Sequence, residues 1–148
     1  MITVIKSPFV QYKLTILRNK KTSNTVFRQT MNEISYLIAS DVLQYVPFKK
    51  QTIETPLKKM SGTALGQPII LVPILRAGLG LLEGFAKFLP EAEKGHIGLY
   101  RDEQTYEPVE YLFKLPRVKN KKVLILDPML ATGTVSYTHL TLPTTRHG

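Results

Sequence analysis

Lys121-Lys122-Val123-Leu124-Ile125-Leu126-Asp127-Pro128-Met129-Leu130-Ala131-Thr132-Gly133-Thr134 joins an apolar run to an acid and then to small residues with free backbone amides. Val123 to Leu126 shows no polar/apolar alternation, which is the pattern of a central parallel strand covered on both faces. Asp127 then leaves the strand at its carboxyl end, where open α/β sheets place their ligand crevice. The amides of the turn, with the helix start expected after it, suit an anion. The carboxylate would repel a phosphate, but it can accept hydrogen bonds from sugar hydroxyls. Acid followed by amide turn therefore fits a sugar that carries a phosphate, with Thr132 and Gly133 donating backbone N–H and the Thr132 hydroxyl as a further donor. The plainer alternative is that Asp127 is a helix cap and Ala131-Thr132-Gly133 an ordinary turn.

Upstream, Pro68 to Leu75 is the first convincing buried strand, Ala77 to Leu89 reads as a helix ended by Pro90, and Gly95 to Tyr100 as the next strand. Strand, helix and strand of this length make a right-handed crossover in a parallel sheet, to which Val123–Leu126 adds another strand. Residues 101–116 alternate charged with aromatic or aliphatic positions and have no helical period, so they predict an exposed two-stranded arm of the kind that closes over a crevice. Nearer the start, Ser7-Pro8 marks a helix whose Val10, Leu14 and Leu17 share a face. A longer helix from about Asn24 carries Phe27, Met31, Ile34, Ile38, Val42 and Tyr45 as its core stripe, with Pro47 closing it. Residues 51–66 mix Thr, Pro, Gly and Lys and predict a short strand such as Thr52-Ile53-Glu54 followed by an exposed loop.

A repeat-free chain of 148 residues has single-domain length. The absence of cysteine excludes disulfides, thiolate metal sites and a cysteine nucleophile, and His96, His139 and His147 lack ligand spacing. No apolar run reaches membrane-spanning length and the first residues lack signal-peptide order, so a soluble cytoplasmic protein without membrane attachment is expected. The net charge of +9 gathers around Arg18, Lys20 and Lys21, around Lys49, Lys50, Lys58 and Lys59, and around Lys119, Lys121 and Lys122. Dispersed lysines usually form a solvated surface, although the same positive field favours a small ligand bearing phosphate and pyrophosphate.

Arg76 stands where the first buried strand meets a glycine turn. A guanidinium there, beside backbone that glycine lets a ligand approach, is built to clamp pyrophosphate through paired charge-assisted bonds. A surface arginine beside a packing turn is the competing reading. A dinucleotide site fails on spacing, because the third glycine of G-x-G-x-x-G would fall on Glu83, with Gly84 one residue late. Arg101 opens the arm, from which it could reach a leaving group as the arm closes; alternatively it pairs with Asp102 or Glu103 on a solvated hairpin.

Asp127-Pro128-Met129-Leu130-Ala131-Thr132-Gly133 resembles the 5-phosphoribosyl-1-pyrophosphate (PRPP) loop of uracil phosphoribosyltransferases, in the form that separates them from other phosphoribosyltransferases. Val72-Pro73-Ile74-Leu75-Arg76-Ala77-Gly78-Leu79-Gly80 is similar to that family's strand, arginine and glycine turn. Tyr100-Arg101-Asp102-Glu103 with Glu107-Pro108-Val109 resembles its lid, and the likeness runs from the N-terminus to about Gly133. The resemblance implies an α/β, type I phosphoribosyltransferase-like parallel sheet flanked by helices, truncated after the PRPP-loop strand. It implies residues 1–134 as the N-terminal part of that domain, with 98–116 as a flexible arm.

The implied reaction, part of pyrimidine salvage, is uracil with PRPP giving UMP and pyrophosphate. The implied catalytic residues are Arg76 and Arg101, which act with Mg²⁺ on the leaving pyrophosphate, and Asp127, which holds the ribose hydroxyls. PRPP binding is implied for these three together with Pro128, Met129, Leu130, Ala131, Thr132 and Gly133. GTP as an allosteric activator and a homo-oligomeric assembly are implied by the family alone, and no protein residue is expected to form a metal cage. Some proteins of this fold are RNA-binding regulators of pyrimidine genes. Here, however, the lysines are not interleaved with aromatics and no RNA-binding motif occurs, so nucleic acid is not an expected partner. A steep salt dependence of RNA binding would favour the regulator.

After Gly133 the family pattern stops. Val135-Ser136-Tyr137-Thr138-His139-Leu140-Thr141-Leu142-Pro143-Thr144 has no helical apolar face, although a helix should follow the cradle. The codons GTC TCT TAT ACA CAT CTG ACG CTG CCG ACG encode this stretch and resemble the adapter of transposase-made sequencing libraries. Residues 135–148 are therefore expected to be foreign to the gene, and Thr134 falls under the same suspicion. Genomic sequence from an independent library that rejoined this tail to Gly133 would refute that expectation. Without the later family segments the sheet is expected to leave apolar surface exposed and the uracil site incomplete. Expressed alone, the chain should be poorly stable and form no UMP from uracil and PRPP, and measurable turnover in that assay would overturn this.

Overall fold

The computed structural model describes residues 2–129, so the expectations placed on Leu130, Ala131, Thr132 and Gly133 and on the 135–148 tail lie outside the described residues. Ten elements follow in order: α1 (Pro8–Arg18), α2 (Asn24–Leu43), β1 (Phe48–Glu54), β2 (Lys59–Leu65), β3 (Ile69–Leu75), α3 (Leu79–Phe88), β4 (Glu93–Lys94), β5 (His96–Arg101), β6 (Pro108–Lys114) and β7 (Lys122–Leu126). The unbroken apolar run Ile69–Leu75 is the centre of the main sheet. Along one edge it pairs in parallel with β7, from Ile69 opposite Lys122 to Pro73 opposite Leu126. Along the other it pairs in parallel with β4, Leu71 opposite Lys94, and with β5 in the same register, Ile74 opposite Ile97. The gap between β4 and β5 falls beside Pro73, which has no N–H to give the ladder. The Gly95 amide nevertheless bonds the Leu71 carbonyl at 2.9 Å. β6 adds an antiparallel edge to β5, so the sheet is mixed, parallel at its centre as the sequence led us to expect.

The helices pack on one face of this sheet. Ser7 caps α1 by accepting the Val10 N–H at 3.5 Å, and Ser23 caps α2 by accepting the Val26 N–H at 3.3 Å. Ala39 and Val46, together with Leu81, Phe85 and Leu89 of α3 and its C-terminal flank, close over Ile69, Leu71 and Leu126. The α2 stripe differs from its sequence reading. Phe27 is 40% and Tyr45 67% exposed, while the buried line is Thr30, Ile34, Ser35 and Ala39. The core is centred one position over because α3 lies so close to α2 that small residues, not large ones, fill the crossing. On the opposite sheet face Ile70, Val72, Ile74 and Ile97 form a second cluster joined by Leu99, Leu115, Val123 and Ile125.

Residues 51–66, read as a short strand and a loop, are instead most of a complete hairpin. β1 and β2 pair antiparallel from Phe48–Leu65 to Glu54–Lys59. Its turn is closed by Thr55, whose N–H donates to the Lys58 carbonyl at 3.0 Å and whose hydroxyl oxygen accepts the Lys58 N–H at 3.1 Å. Lys59-Met60-Ser61-Gly62-Thr63-Ala64-Leu65 has weak strand propensity, and it is the partner strand that extends it. This ribbon forms a separate two-stranded sheet, with every β1 residue exposed.

At the far edge, the turn between β5 and β6 is built on Asp102. Its Oδ1 accepts the N–H groups of Gln104 at 2.9 Å and Thr105 at 2.8 Å, along with the Thr105 hydroxyl at 3.2 Å. The Asp102 N–H reaches the Glu107 carbonyl at 3.0 Å, and Tyr106 takes a left-handed φ of 57°. These donors hold the Asp102 carboxyl below its ordinary range, the Thr105 amide first among them and the Gln104 amide next.

Two expectations follow. A methyl group at Gly78 would come within 2.6 Å of the Ile74 nitrogen and 2.7 Å of its oxygen. Gly78→Ala should therefore destabilise the fold by about 3 kcal/mol in chemical denaturation. The lowered Asp102 value means that the carboxylate's support of its turn is complete above the usual carboxylate range and is lost as pH falls through the folded value. Amide exchange at Gln104 and Thr105 should accelerate over that acid window beyond its intrinsic pH trend, and Asp102→Ala should show the same loss of protection at neutral pH.

Candidate functional site

Parallel pairing brings three sequence-selected residues to one end of the sheet. Asp127 follows Leu126, the partner of Pro73. Arg76 follows Leu75, the partner of Gly98. Arg101 ends β5 three residues past Gly98, so it stands about 7 Å further along than a residue level with Arg76, at 3.3 Å per strand residue. Asp127, Arg76 and Arg101 thus occupy the carboxyl ends of three neighbouring strands, where α/β sheets form their crevice.

The Arg76 turn is rigid. Gly78 N–H bonds the Ile74 carbonyl at 2.7 Å, and the N–H groups of Leu79, Gly80 and Leu81 bond the carbonyls of Arg76, Ala77 and Gly78 at 3.1 Å each, so β3 passes into α3 without slack. The Leu75–Arg76 peptide is cis. Gly78 is buried against both Ile74 and the Leu126 carbonyl, which wedges the arginine turn onto the end of β7 directly before Asp127. A side chain at position 78 would force these two loops apart.

Both guanidinium groups are exposed, and neither is hydrogen-bonded or ion-paired among the described residues. For Arg101 this removes the alternative of a pair with Asp102, whose carboxylate is occupied by its own turn. Two exposed cations thus stand at one sheet end without a partner among the described residues. Asp127 shapes its own turn. Oδ1 accepts the Met129 N–H at 3.0 Å, an Asx-type turn that shapes the start of the loop. Its other oxygen keeps its acceptor capacity for a ligand hydroxyl.

Pro128 is half-buried and Met129 is 74% exposed. Beside Asp127 and Pro128 opens a groove of about 400 Å³ walled by apolar residues of the helices and β7, among them Leu17, Ile38, Phe85 and Leu124. Among the described residues no group of three or more His, Cys, Asp or Glu could hold a metal ion, and no helix is long and apolar enough to cross a membrane.

Reading the sequence missed three structural participants. The spacing Asp102-x-x-Thr105 is a local turn signal that could have identified the first. Gly78 reads as part of a glycine turn open to a ligand, in a helix whose glycines something packs against, whereas its specific contact with β7 depends on strand pairing. Ser35 sits within an apolar stripe and bonds across to α3, which no local pattern discloses.

Comparison with known proteins agrees with this geometry. The sequence pattern of the family described as uracil phosphoribosyltransferase matches residues 4–142. The uracil phosphoribosyltransferase of Levilactobacillus brevis is 48% identical over 132 residues, covering 88% of this chain and 63% of its own length. That of Finegoldia magna is 48% identical over 134 residues, 89% of this chain and 64% of its own. The chain thus spans somewhat under two thirds of the length of these relatives. Among solved structures, the AQ2163 protein from Aquifex aeolicus superposes with a TM-score of 0.85 at 35% identity, covering 95% of this chain and 68% of that one. A match across nearly the whole sequence, a shared fold and the three strand-end residues together show that the chain belongs to the uracil phosphoribosyltransferase family.

Proposed function

We propose that this chain carries the PRPP-handling part of a uracil phosphoribosyltransferase, the enzyme that joins uracil to PRPP to give UMP and pyrophosphate. The observation that carries the reading is the placement of two unpaired guanidinium groups and one carboxylate at the ends of β3, β5 and β7. As pyrophosphate departs, the ribosyl carbon gains positive character and negative charge grows on the leaving group. Arg76, fixed in its turn, holds that group through charge-assisted hydrogen bonds. Arg101, on the sheet edge that leads into the Asp102 turn, adds a second positive charge as the arm closes and excludes water.

Asp127 orients the ribose by accepting its hydroxyls, and the loop it opens presents backbone amides, with Leu130, Ala131, Thr132 and Gly133 as the 5′-phosphate contacts. No nucleophilic side chain is needed. Mg²⁺ arriving with the substrate would neutralise charge on the diphosphate, and the lack of any cluster of three or more ligand residues among the described residues fits a cation coordinated mostly by substrate and water. A homo-oligomer belongs to the same proposal. The isolated β1–β2 ribbon, with Ile53, Leu57 and Met60 exposed, has the form of an element that needs a covering surface.

The test is a chimera of residues 1–133 with the C-terminal remainder of the Levilactobacillus brevis enzyme. It should convert uracil and PRPP to UMP and sediment as more than a monomer. Arg101→Ala should lower kcat/KM for PRPP about 100-fold, the scale for losing one charge-stabilising donor. A folded chimera that neither binds PRPP nor forms UMP would remove the basis of the proposal.

A further inference from the structure

Ser35 lies in the middle of α2, is 0% exposed and makes two hydrogen bonds. Its hydroxyl donates to the Asn32 carbonyl at 2.6 Å and accepts the Gly84 N–H of α3 at 3.0 Å. Serine inside a helix ordinarily bonds its own backbone or faces water. This one reaches into the neighbouring helix at a point where a side chain cannot fit, since a methyl group on Gly84 would approach the Ser35 carbonyl oxygen to 2.6 Å. One turn earlier, a methyl group on Gly80 would approach the Met31 side chain to 2.9 Å, and Asn32 bonds the Glu83 carboxylate across the same seam.

These contacts fix how far α3 sits along α2. Because α3 continues from the Arg76 turn through an unbroken series of hydrogen bonds, the same contacts fix where that turn sits. Gly78 holds the turn from the β7 side and Ser35 holds its helix from the α2 side.

We propose that Ser35 is a positioning residue for the pyrophosphate-binding end of the site, acting through α3 on Arg76. This deepens the reading of the site given above and rests on it. The role predicts a selective effect. Loss of the Ser35 hydroxyl should impair ligands that use Arg76 and spare those that use only Asp127 and its loop. A merely structural residue would weaken both alike.

The experiment is equilibrium binding of PRPP and of ribose 5-phosphate, each with Mg²⁺, to the folded chimera described above, whose first 133 residues are those of this chain. Ser35→Ala should raise the Kd for PRPP about fivefold, the factor one ordinary hydrogen bond corresponds to, with the ribose 5-phosphate Kd unchanged. Gly84→Ala, which pushes α3 off α2, should change the ratio further in the same direction. If this second variant fails to fold, Ser35→Ala decides alone. Equal weakening of both ligands, or no change in either, overturns the inference and leaves the site intact. A folded chimera that binds neither ligand instead overturns the reading of the site, and the inference with it.

Discussion

The backbone hydrogen bonds of Ile69–Leu75 are made on both edges of the strand, to β7 on one side and to β4 and β5 on the other. Every other feature of the site inherits its position from this ladder. A buried peptide group without a partner is costly, so a strand with both faces and both edges covered has very little freedom to slide. A one-residue slip would also exchange its two faces, moving Ile69 and Leu71 away from the helices and Ile70 and Val72 towards them. Register is thereby transmitted to three strand ends at once, and three residues widely separated in sequence become neighbours.

Charge is organised by the opposite principle, with selected groups kept out of pairing. Glu93 takes Lys121 and Glu33 takes Lys13, whereas Asp102, adjacent to Arg101, is engaged by turn amides and a hydroxyl. An acid that folded onto Arg101 would neutralise it at short range and weaken the field offered to an anion. Giving that acid a structural task of its own keeps the cation available. Asp127 divides its work in a similar way, one oxygen shaping its turn and the other without a hydrogen bond among the described residues.

Much of this arrangement was legible in the residues themselves. Ile69–Leu75 declares itself as a buried strand because parallel pairing removes the polar alternation that other strands show; Val123–Leu126, read as central in the same way, pairs only with β3 among the described residues and buries only Leu126. The Ser7 cap is local chemistry and appears as such. What could not be seen was settled by partners distant in the chain. Lys59–Leu65 becomes a strand only because β1 lies beside it. The buried face of α2 is centred on Ser35 and Ala39 because glycines of α3 press against it, and a stripe drawn from large apolar residues overlooks small ones. The strand-end residues were identified from type, spacing and family likeness. That both arginines lack a partner among the described residues could be learned only from the fold, since Asp102 and Glu103 stand next to one of them in sequence.

Gly78 also bears on the order in which the molecule matures. Its contact with the Leu126 carbonyl joins residues separated by most of the crossover and the whole arm, so it cannot form until β7 has docked beside β3. Contacts of such long sequence separation form late, because the loop they close must first lose its freedom. The Arg76 turn can close locally, but its junction with the end of β7 forms only when the two strands dock. A chain in which β7 has not docked therefore lacks the contact that sets Arg76 beside Asp127.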